Sequence, residues 1–248
     1  MALACWPMTA LDAPALRAEV ARYPWYHTLE LAPGVATPGM FDHRPHVGRY
    51  PLPGDLTGKR CLDVGTMDGF WAFEMERRGA AEVVAIDVAD PDKLDWPASL
   101  RATHGRTMDE TKETRFALAH RILGSSVRRV ELSVYDLSPA LGSFDVVFCG
   151  DLLLHLKDPV TACENLRSVC AGLAVVANPI VRFRLRDRRP MATFDGVDEF
   201  VYWTTNLAGL VRVVRSGGFS GVEAAKPFEV PFSDGTWKGL RGVVRATP

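Results

Sequence analysis

The sequence predicts an α/β fold: a mostly parallel sheet of seven strands with helices on both faces, plus an irregular N-terminal extension. From residue 59 onward, short apolar runs alternate with segments of helical spacing, the pattern of strand–helix units that build a parallel sheet. The chain has 248 residues, 47% hydrophobic and 24% charged, which suffices for one large globular domain with a substantial core.

Seven apolar runs have the length and composition of buried strands. They span residues 60–64, 83–88, 129–134, 144–149, 173–177, 222–225 and 240–245. Helical spacing occupies 70–78, 109–123, 159–170 and 206–216, and Gly79, Gly124 and Gly217 follow three of these segments, as C-terminal glycines often do. A long loop with Pro91, Trp96 and Pro97 is expected before the second helix.

The first 55 residues differ in composition from the rest, being rich in proline and in large aromatic side chains. One helix is predicted there, from residue 12 or 13 to 22, with Asp12 as its cap and Pro14 in its first turn. The remainder is expected to be irregular. So many aromatic residues are untypical of a solvated tail. We therefore predict an extension or lid over 1–55, packed on a main domain over 56–248.

Charge and composition limit the partners of the chain. The formal net charge is −1, so no overall field attracts nucleic acid, and no apolar run reaches the ~20 residues that cross a bilayer. The N-terminus lacks the pattern of a signal peptide, which predicts a cytoplasmic protein with no membrane partner. The five cysteines are odd in number and lack a CxxC spacing, so they are interpreted as free thiols, and no metal site is predicted.

A glycine-containing turn at residues 62–70 follows the first strand and opens a helix, the position of a nucleotide-binding turn. Gly65 permits a positive φ, and Gly69 permits close approach of a ligand to the backbone. Asp87, at the end of the next strand, is placed to accept hydrogen bonds from ribose hydroxyls. A dinucleotide-binding dehydrogenase is disfavoured, because Asp68 lies in the turn where a pyrophosphate needs bare NH groups.

These motifs resemble those of class I S-adenosylmethionine-dependent methyltransferases, which have a Rossmann-like fold. Residues 63–69 match the first motif of that family, Asp87 its acidic ribose-binding residue, 135–137 its adenine-contacting segment and 144–151 its fourth motif. The resemblance implies S-adenosylmethionine as cofactor. The cofactor-binding residues it implies are Asp63, Gly65, Thr66, Gly69, Asp87, Asp136 and Gly150.

Segments 55–65, 152–159, 200–207 and 216–219 are similar to the bacterial tRNA wobble-uridine carboxymethyltransferase group. That group uses carboxy-S-adenosylmethionine with the help of a lysine ahead of the first motif, whereas this chain has no lysine before Lys59. A near-neutral chain also lacks the broad basic surface that binds several phosphates. We predict methyl transfer to a small molecule, most simply at a hydroxyl. A tRNA-modifying enzyme and a catalytically idle cofactor-binding module remain alternatives.

Five arginines lie between residues 182 and 189, four of them at every second position. On a strand, alternate side chains project from one face. One interpretation is a solvated or salt-bridged edge. The other is a binding surface for an anionic or carrier-bound substrate.

His155 is the candidate general base, because it follows the fourth strand at the edge of the sheet where open α/β folds bind ligands. Asp151 is expected to orient it or to bind substrate. A structural or cofactor-contacting role for His155 remains an alternative. The substrate is expected to contact Tyr26 and His27 from the extension, and Tyr202 and Trp203 from the C-terminal part.

Overall fold

A computed structural model describes residues 12–104, 112–182, 188–236 and 238–248. Its main sheet contains the seven predicted strands: β3 (Arg60–Val64), β4 (Glu82–Asp87), β5 (Arg128–Glu131), β6 (Phe144–Gly150), β7 (Cys170–Pro179), β10 (Gly221–Ala224) and β12 (Lys238–Thr247). Strands β1 (Glu30–Ala32), β2 (Val35–Ala36), β8 (Ala192–Phe194), β9 (Trp203–Thr205) and β11 (Phe228–Pro231) complete the set.

The order of strands across the sheet is β10-β12-β7-β6-β3-β4-β5, and β11 pairs with β12 as an eighth strand. Strands β3 to β7 are mutually parallel, whereas β12 is antiparallel to β7 and β10 is antiparallel to β12. The chain runs outward from β3 to β5 and then returns to the other side of β3 at β6. This reversal opens a crevice beyond the carboxyl ends of β3 and β6, where such sheets bind ligands.

Six α-helices accompany the strands in the described residues: α1 (Ala13–Val20), α2 (Phe70–Arg77), α3 (Ala98–His104), α4 (Lys112–Leu123), α5 (Pro159–Val169) and α6 (Leu207–Ser216). Buried side chains of α2 and α4 belong to one core cluster, and those of α5 and α6 belong to a second. The two clusters occupy opposite faces of the sheet, as alternate residues of each strand contribute to one or the other. The predicted layering, with helices on both faces, is confirmed.

Helix starts follow the capping residues in the sequence. The side chains of Asp12, Asp158 and Asn206 each accept a hydrogen bond from a backbone NH three residues on, which satisfies a donor that the helix leaves free. The helix predicted from residue 109 is described from Lys112 onward, because 105–111 lie outside the described residues.

The prediction of a long loop between β4 and α4 is wrong. The loop before α4 contains helix α3, whose first turn bonds back to the carbonyl of Pro97. The region after β7 contains the hairpin β8–β9, whose short edge strands carry no long apolar run that would have revealed them. Strand β11 was also unpredicted, because its alternating pattern is only four residues long.

Cys61, Cys149, Cys163 and Cys170 are buried free thiols, as predicted, while Cys5 lies outside the described residues.

The arginine stretch is only partly described: Arg182 and Arg188 are exposed, and 183–187 lie outside the described residues. Within the described ranges, no helix combines the length and the apolar character that a membrane crossing needs.

The N-terminal segment packs on the sheet and the first core cluster includes several of its side chains, among them Trp25, Leu31 and Phe41. Helix α1 contacts β2, and the loop after β2 returns along the segment, with Phe41 bridging to both His27 and Phe232. The same carboxylate of Asp68 accepts hydrogen bonds from the backbone NH groups of Tyr26 and His27, at 2.8 and 2.9 Å. We call residues 25–43 the strap, because they cross the crevice at the carboxyl edge of the sheet.

Candidate functional site

A cavity of about 340 Å³ lies at the carboxyl edge of the sheet, between the strap and the ends of β3, β4 and β6. Its walls come from the turn after β3, the segment after β6, the strap and β12. Most of the lining is apolar or aromatic, with a few charged groups, which is the usual make-up of a small-molecule site.

In the turn after β3, Gly65 and Met67 both have a left-handed backbone conformation. Gly65 has a φ of +77°, and a Cβ on it would lie 3.3 Å from Leu152. Met67 has a φ of +51° where the family pattern has a glycine, a conformation that costs a non-glycine residue about 1–2 kcal/mol. Its NH is thereby directed to Asp87, at 2.7 Å. Gly65 and Met67 both line the cavity, so the backbone of this turn is accessible from it.

Asp87 ends β4 and faces the cavity, 8% exposed. One carboxylate oxygen accepts from the NH of Met67, and the other accepts from the NH of Val88 and from Nζ of Lys112, each at 2.7 Å. A carboxylate offers about four acceptor positions. Three donors of the described chain therefore occupy this carboxylate, one of them the buried Lys112, and about one acceptor position is left for a ligand in the cavity.

Asp63 lies under the turn, 2% exposed, and burial raises the pKa of its carboxyl to about 7. The hydroxyl of Thr66 donates to it at 2.7 Å. Burying a carboxyl group that has a single side-chain donor is costly. The hydrogen bond from Thr66 to Asp63 connects the turn to strand β3. Gly69 begins α2 with a φ of +96°, where a Cβ would overlap Phe73 at 2.4 Å.

Asp68 is fully buried and fastens the strap to this turn. Besides the two backbone NH groups, it meets Nδ1 of His27 in a short contact. Burial opposes ionisation of Asp68, but the charge and hydrogen bonds of His27 outweigh it, so its pKa lies below the ordinary value. Tyr26 and His27 are held in the cavity wall as a result.

Aromatic rings form one part of the cavity wall, the aromatic wall, which includes Tyr50, Trp71 and Phe148. Trp71 stacks on Phe148 with ring centres 4.3 Å apart and meets Tyr50 edge-on at the same distance. Tyr50 also contacts Nδ1 of His43 through its hydroxyl, at 3.1 Å. Burial lowers the pKa of His43, which keeps this imidazole neutral. Electron-rich ring faces of this kind attract cationic groups.

Asp151 follows β6 in a left-handed conformation, with a φ of +49°. Its Oδ2 accepts from Nη2 of Arg241 at 2.8 Å, and both residues line the cavity. Arg241 is 1% exposed, and its guanidinium lies over the ring of Phe41 with the carbon 5.0 Å from the ring centre. Burial raises the pKa of Asp151, against the attraction of Arg241.

His155 lies in the turn after Asp151 and also lines the cavity. Its Nδ1 contacts the carbonyl oxygen of Phe200, and the two rings stack 4.8 Å apart. A carbonyl oxygen only accepts, so Nδ1 carries the proton and Nε2 has a lone pair. Burial lowers the pKa of this imidazole below its ordinary value.

The cavity brings together eight of the thirteen predicted site residues: Tyr26, His27, Asp63, Gly65, Asp87, Gly150, Asp151 and His155. Thr66 and Gly69 lie behind the wall, where they support the turn. Asp136 is exposed and does not contribute to the lining.

Tyr202 is buried elsewhere, with its NH bonded to the carbonyl of Leu154 at 2.7 Å, and Trp203 lines a separate cavity near α5 and α6. Phe200, rather than Tyr202 or Trp203, closes that end of the main cavity.

Sequence reasoning missed Lys112 and Arg241, and it assigned to Asp68 no contact with the strap. Arg241 gave a usable signal, because a charged residue inside a run such as 240–245 is unusual in an interior strand. Lys112 gave none, since a lysine at the start of a helix is ordinarily a solvated residue.

Comparison with known proteins places this chain in a family. A family model described as a methyltransferase domain matches residues 46–223. A ubiquinone biosynthesis O-methyltransferase of Neisseria meningitidis serogroup C is 39% identical over 116 residues, 45% of this chain and 41% of the relative. A tRNA U34 carboxymethyltransferase of Campylobacter jejuni subsp. doylei is 22% identical over 185 residues, 73% of this chain and 54% of that protein. The chain thus spans about half, or less, of the length of the curated relatives that it matches.

Among solved structures, the N-terminal domain of EvdMO1 with SAH bound superposes with a TM-score of 0.62. The alignment covers 98% of this chain and 99% of that domain at 16% sequence identity, which shows a shared fold. The family match covers most of the chain, and it agrees with the glycine turn and Asp87 at the carboxyl edge of the sheet. The chain therefore belongs to the methyltransferase domain family, and the class I S-adenosylmethionine-dependent methyltransferase domain predicted from its motifs is confirmed.

Proposed function

We propose that the protein transfers the methyl group of S-adenosylmethionine to a hydroxyl of a small-molecule acceptor. The observation that carries the proposal is the cavity itself, in which a glycine turn with a ribose-facing carboxylate shares one space with an aromatic wall and an accepting imidazole. Some matched relatives are named as O-methyltransferases, such as the ubiquinone biosynthesis O-methyltransferase. Their names support methylation of an oxygen atom on a small molecule.

S-adenosylmethionine supplies an electrophilic methyl group on a sulfonium sulfur. The task of the protein is then to bind, to align and to remove a proton. Asp87 and the bare backbone of Gly65 hold the cofactor in this proposal, with Asp63 and Thr66 supporting the turn. Asp136 is proposed only as a contact at the outer end of the adenine, because it lies outside the cavity lining.

His155 is the proposed general base. With Nδ1 directed to the carbonyl of Phe200, Nε2 accepts the proton of the acceptor hydroxyl as the oxygen attacks. Asp151 lines the same cavity, and its negative charge favours the imidazolium that forms on His155. Tyr26 and His27 close the acceptor side as parts of the strap. Tyr202 supports the turn of His155 through the carbonyl of Leu154.

The tRNA alternative rests on the Campylobacter relative and on the arginines near residue 182. Arg182 and Arg188 are exposed and available to phosphates, but the cavity lining itself is mainly apolar and aromatic. An RNA enzyme depends on several phosphate contacts for affinity. The small-molecule proposal is favoured for this reason.

Replacing Asp87 with asparagine is expected to weaken S-adenosylmethionine binding by about 1.5–3 kcal/mol, because a charge-assisted acceptor is lost. Isothermal titration calorimetry measures the change, and a thermal melt establishes that the variant is folded. Asp92→Asn, at a nearby exposed carboxylate, serves as the control and should bind like the wild type. Unchanged affinity in folded Asp87→Asn would remove this residue from the cofactor site.

Replacing His155 with glutamine is expected to lower turnover by ~10²–10⁴-fold while cofactor affinity is kept. The base acts as neutral imidazole, and its pKa is lowered. The wild-type rate should therefore fall only at pH values below the ordinary histidine value of about 6.5. Single-turnover rates over pH test this with an acceptor identified by screening. Near-normal turnover in the variant would leave His155 a structural residue and would point to an acceptor that needs no deprotonation.

Binding of tRNA should be absent or weak even at low salt. A gel-shift titration at several salt concentrations tests this, because binding through phosphates falls steeply as salt rises. Tight, salt-sensitive binding that is lost on replacing Arg182 and Arg188 with glutamine would favour the RNA-modifying function instead.

A further inference from the structure

Arg241 is a buried cation whose hydrogen-bonding capacity is mostly unused. Its side chain is 1% exposed, and only Nη2 has a carboxylate partner, Oδ2 of Asp151. The Nε and Nη1 atoms are buried and have no hydrogen-bond partner among the described residues. Leaving such donors unsatisfied costs more for a charged group than for a neutral one.

The partner of Arg241 is unsatisfied in the same way. Oδ1 of Asp151 is buried without a hydrogen-bond donor in the described structure, although Oδ2 is bonded. The pKa of Asp151 is raised, chiefly by burial, which also marks a carboxylate with too few donors. Pairing with Arg241 alone therefore completes neither residue.

Both residues border the cavity, and no other ion pair of the described chain does so with spare atoms on both partners. The strap and the aromatic wall surround the pair with Phe41, Tyr26 and Tyr50. In such apolar surroundings a guanidinium binds a carboxylate far more strongly than in water, because the effective dielectric constant is lower.

We propose that Arg241 and Asp151 form a subsite for an acidic acceptor, a compact aromatic molecule that carries a carboxylate and a hydroxyl. This rests on the proposed function and extends it, since it names the class of acceptor. The carboxylate binds the free guanidinium nitrogens of Arg241. The hydroxyl of the same molecule donates to Nε2 of His155, the base of the proposed reaction, so that the ligand supplies the acceptor that the free nitrogens of Arg241 lack.

A structural pair would behave differently. If Arg241 served only to hold Asp151 in its left-handed conformation, loss of either residue would change stability and leave any preference for anions unaltered. A binding subsite predicts opposite effects of the two residues, because Asp151 competes with the carboxylate of the ligand for the same guanidinium.

The test compares 4-hydroxybenzoate with its neutral isostere 4-hydroxybenzamide by calorimetry, using protein saturated with S-adenosylhomocysteine. Wild type should bind the carboxylate at least ~10-fold more tightly, as expected for a charge-assisted bond to a buried guanidinium. Arg241→Gln should abolish the preference, and Asp151→Asn should increase it. Arg245→Gln, at an exposed arginine of the same strand, is the matched control and should leave the preference unchanged.

Where Arg241→Gln fails to fold because Asp151 is left alone, the double variant Asp151→Asn/Arg241→Gln replaces the pair with neutral groups and gives the same readout. Equal binding of the two probes to wild type, or a preference that survives loss of Arg241, would overturn the subsite. An Arg241-dependent preference for carboxy-S-adenosylmethionine over S-adenosylmethionine would place the anion on the cofactor and would overturn it too. Failure of S-adenosylhomocysteine to bind would count against the proposed function instead.

Discussion

The carboxylate of Asp68 accepts hydrogen bonds from Tyr26 and His27, which lie 42 and 41 residues before it in the sequence. It sits in the glycine turn, and its partners are two backbone NH groups and an imidazole of the strap. Without this carboxylate the half-buried NH of Tyr26 and the buried NH of His27 would lose their acceptor, which a folded protein rarely tolerates. The turn that lines the cavity and the strap that crosses it are therefore positioned by one group.

The rest of the site follows from that constraint. Once the strap is fixed, Phe41 is placed under the guanidinium of Arg241, and His43 is placed against Tyr50. The result is a partly enclosed space with aromatic walls, in which hydrogen bonds and ion pairs act in a lower dielectric than in water. Methyl transfer benefits from such a space, because alignment and exclusion of water supply most of what the protein adds to the reactivity of the cofactor.

The sheet was predictable because its signals are local. Strand β3 was predicted over the same residues that it occupies, and the other sheet strands differ only at their ends, where pairing extends runs such as β7 and β12 beyond their apolar cores. The positions of Gly65 and Asp87 in the cavity followed from the same pattern, since both come at the carboxyl ends of strands. Lys112, Arg241 and the contact of Asp68 with the strap were not predictable in this way. Each depends on a pairing between distant segments, and Tyr202 and Trp203 miss the cavity because the hairpin β8–β9 turns them toward other neighbours.

Hydrogen exchange at the amides of Tyr26 and His27 tests the central role of Asp68 most directly, because both amides donate to its carboxylate. In wild type they should be protected to nearly the same degree as amides of β3. In Asp68→Ala their protection should fall by at least ~10-fold while that of β3 is retained, since one buried hydrogen bond to a charged group contributes about 1.5–3 kcal/mol. Equal protection of both amides in the two proteins would show that the strap is held by its aromatic packing alone, and would contradict this account.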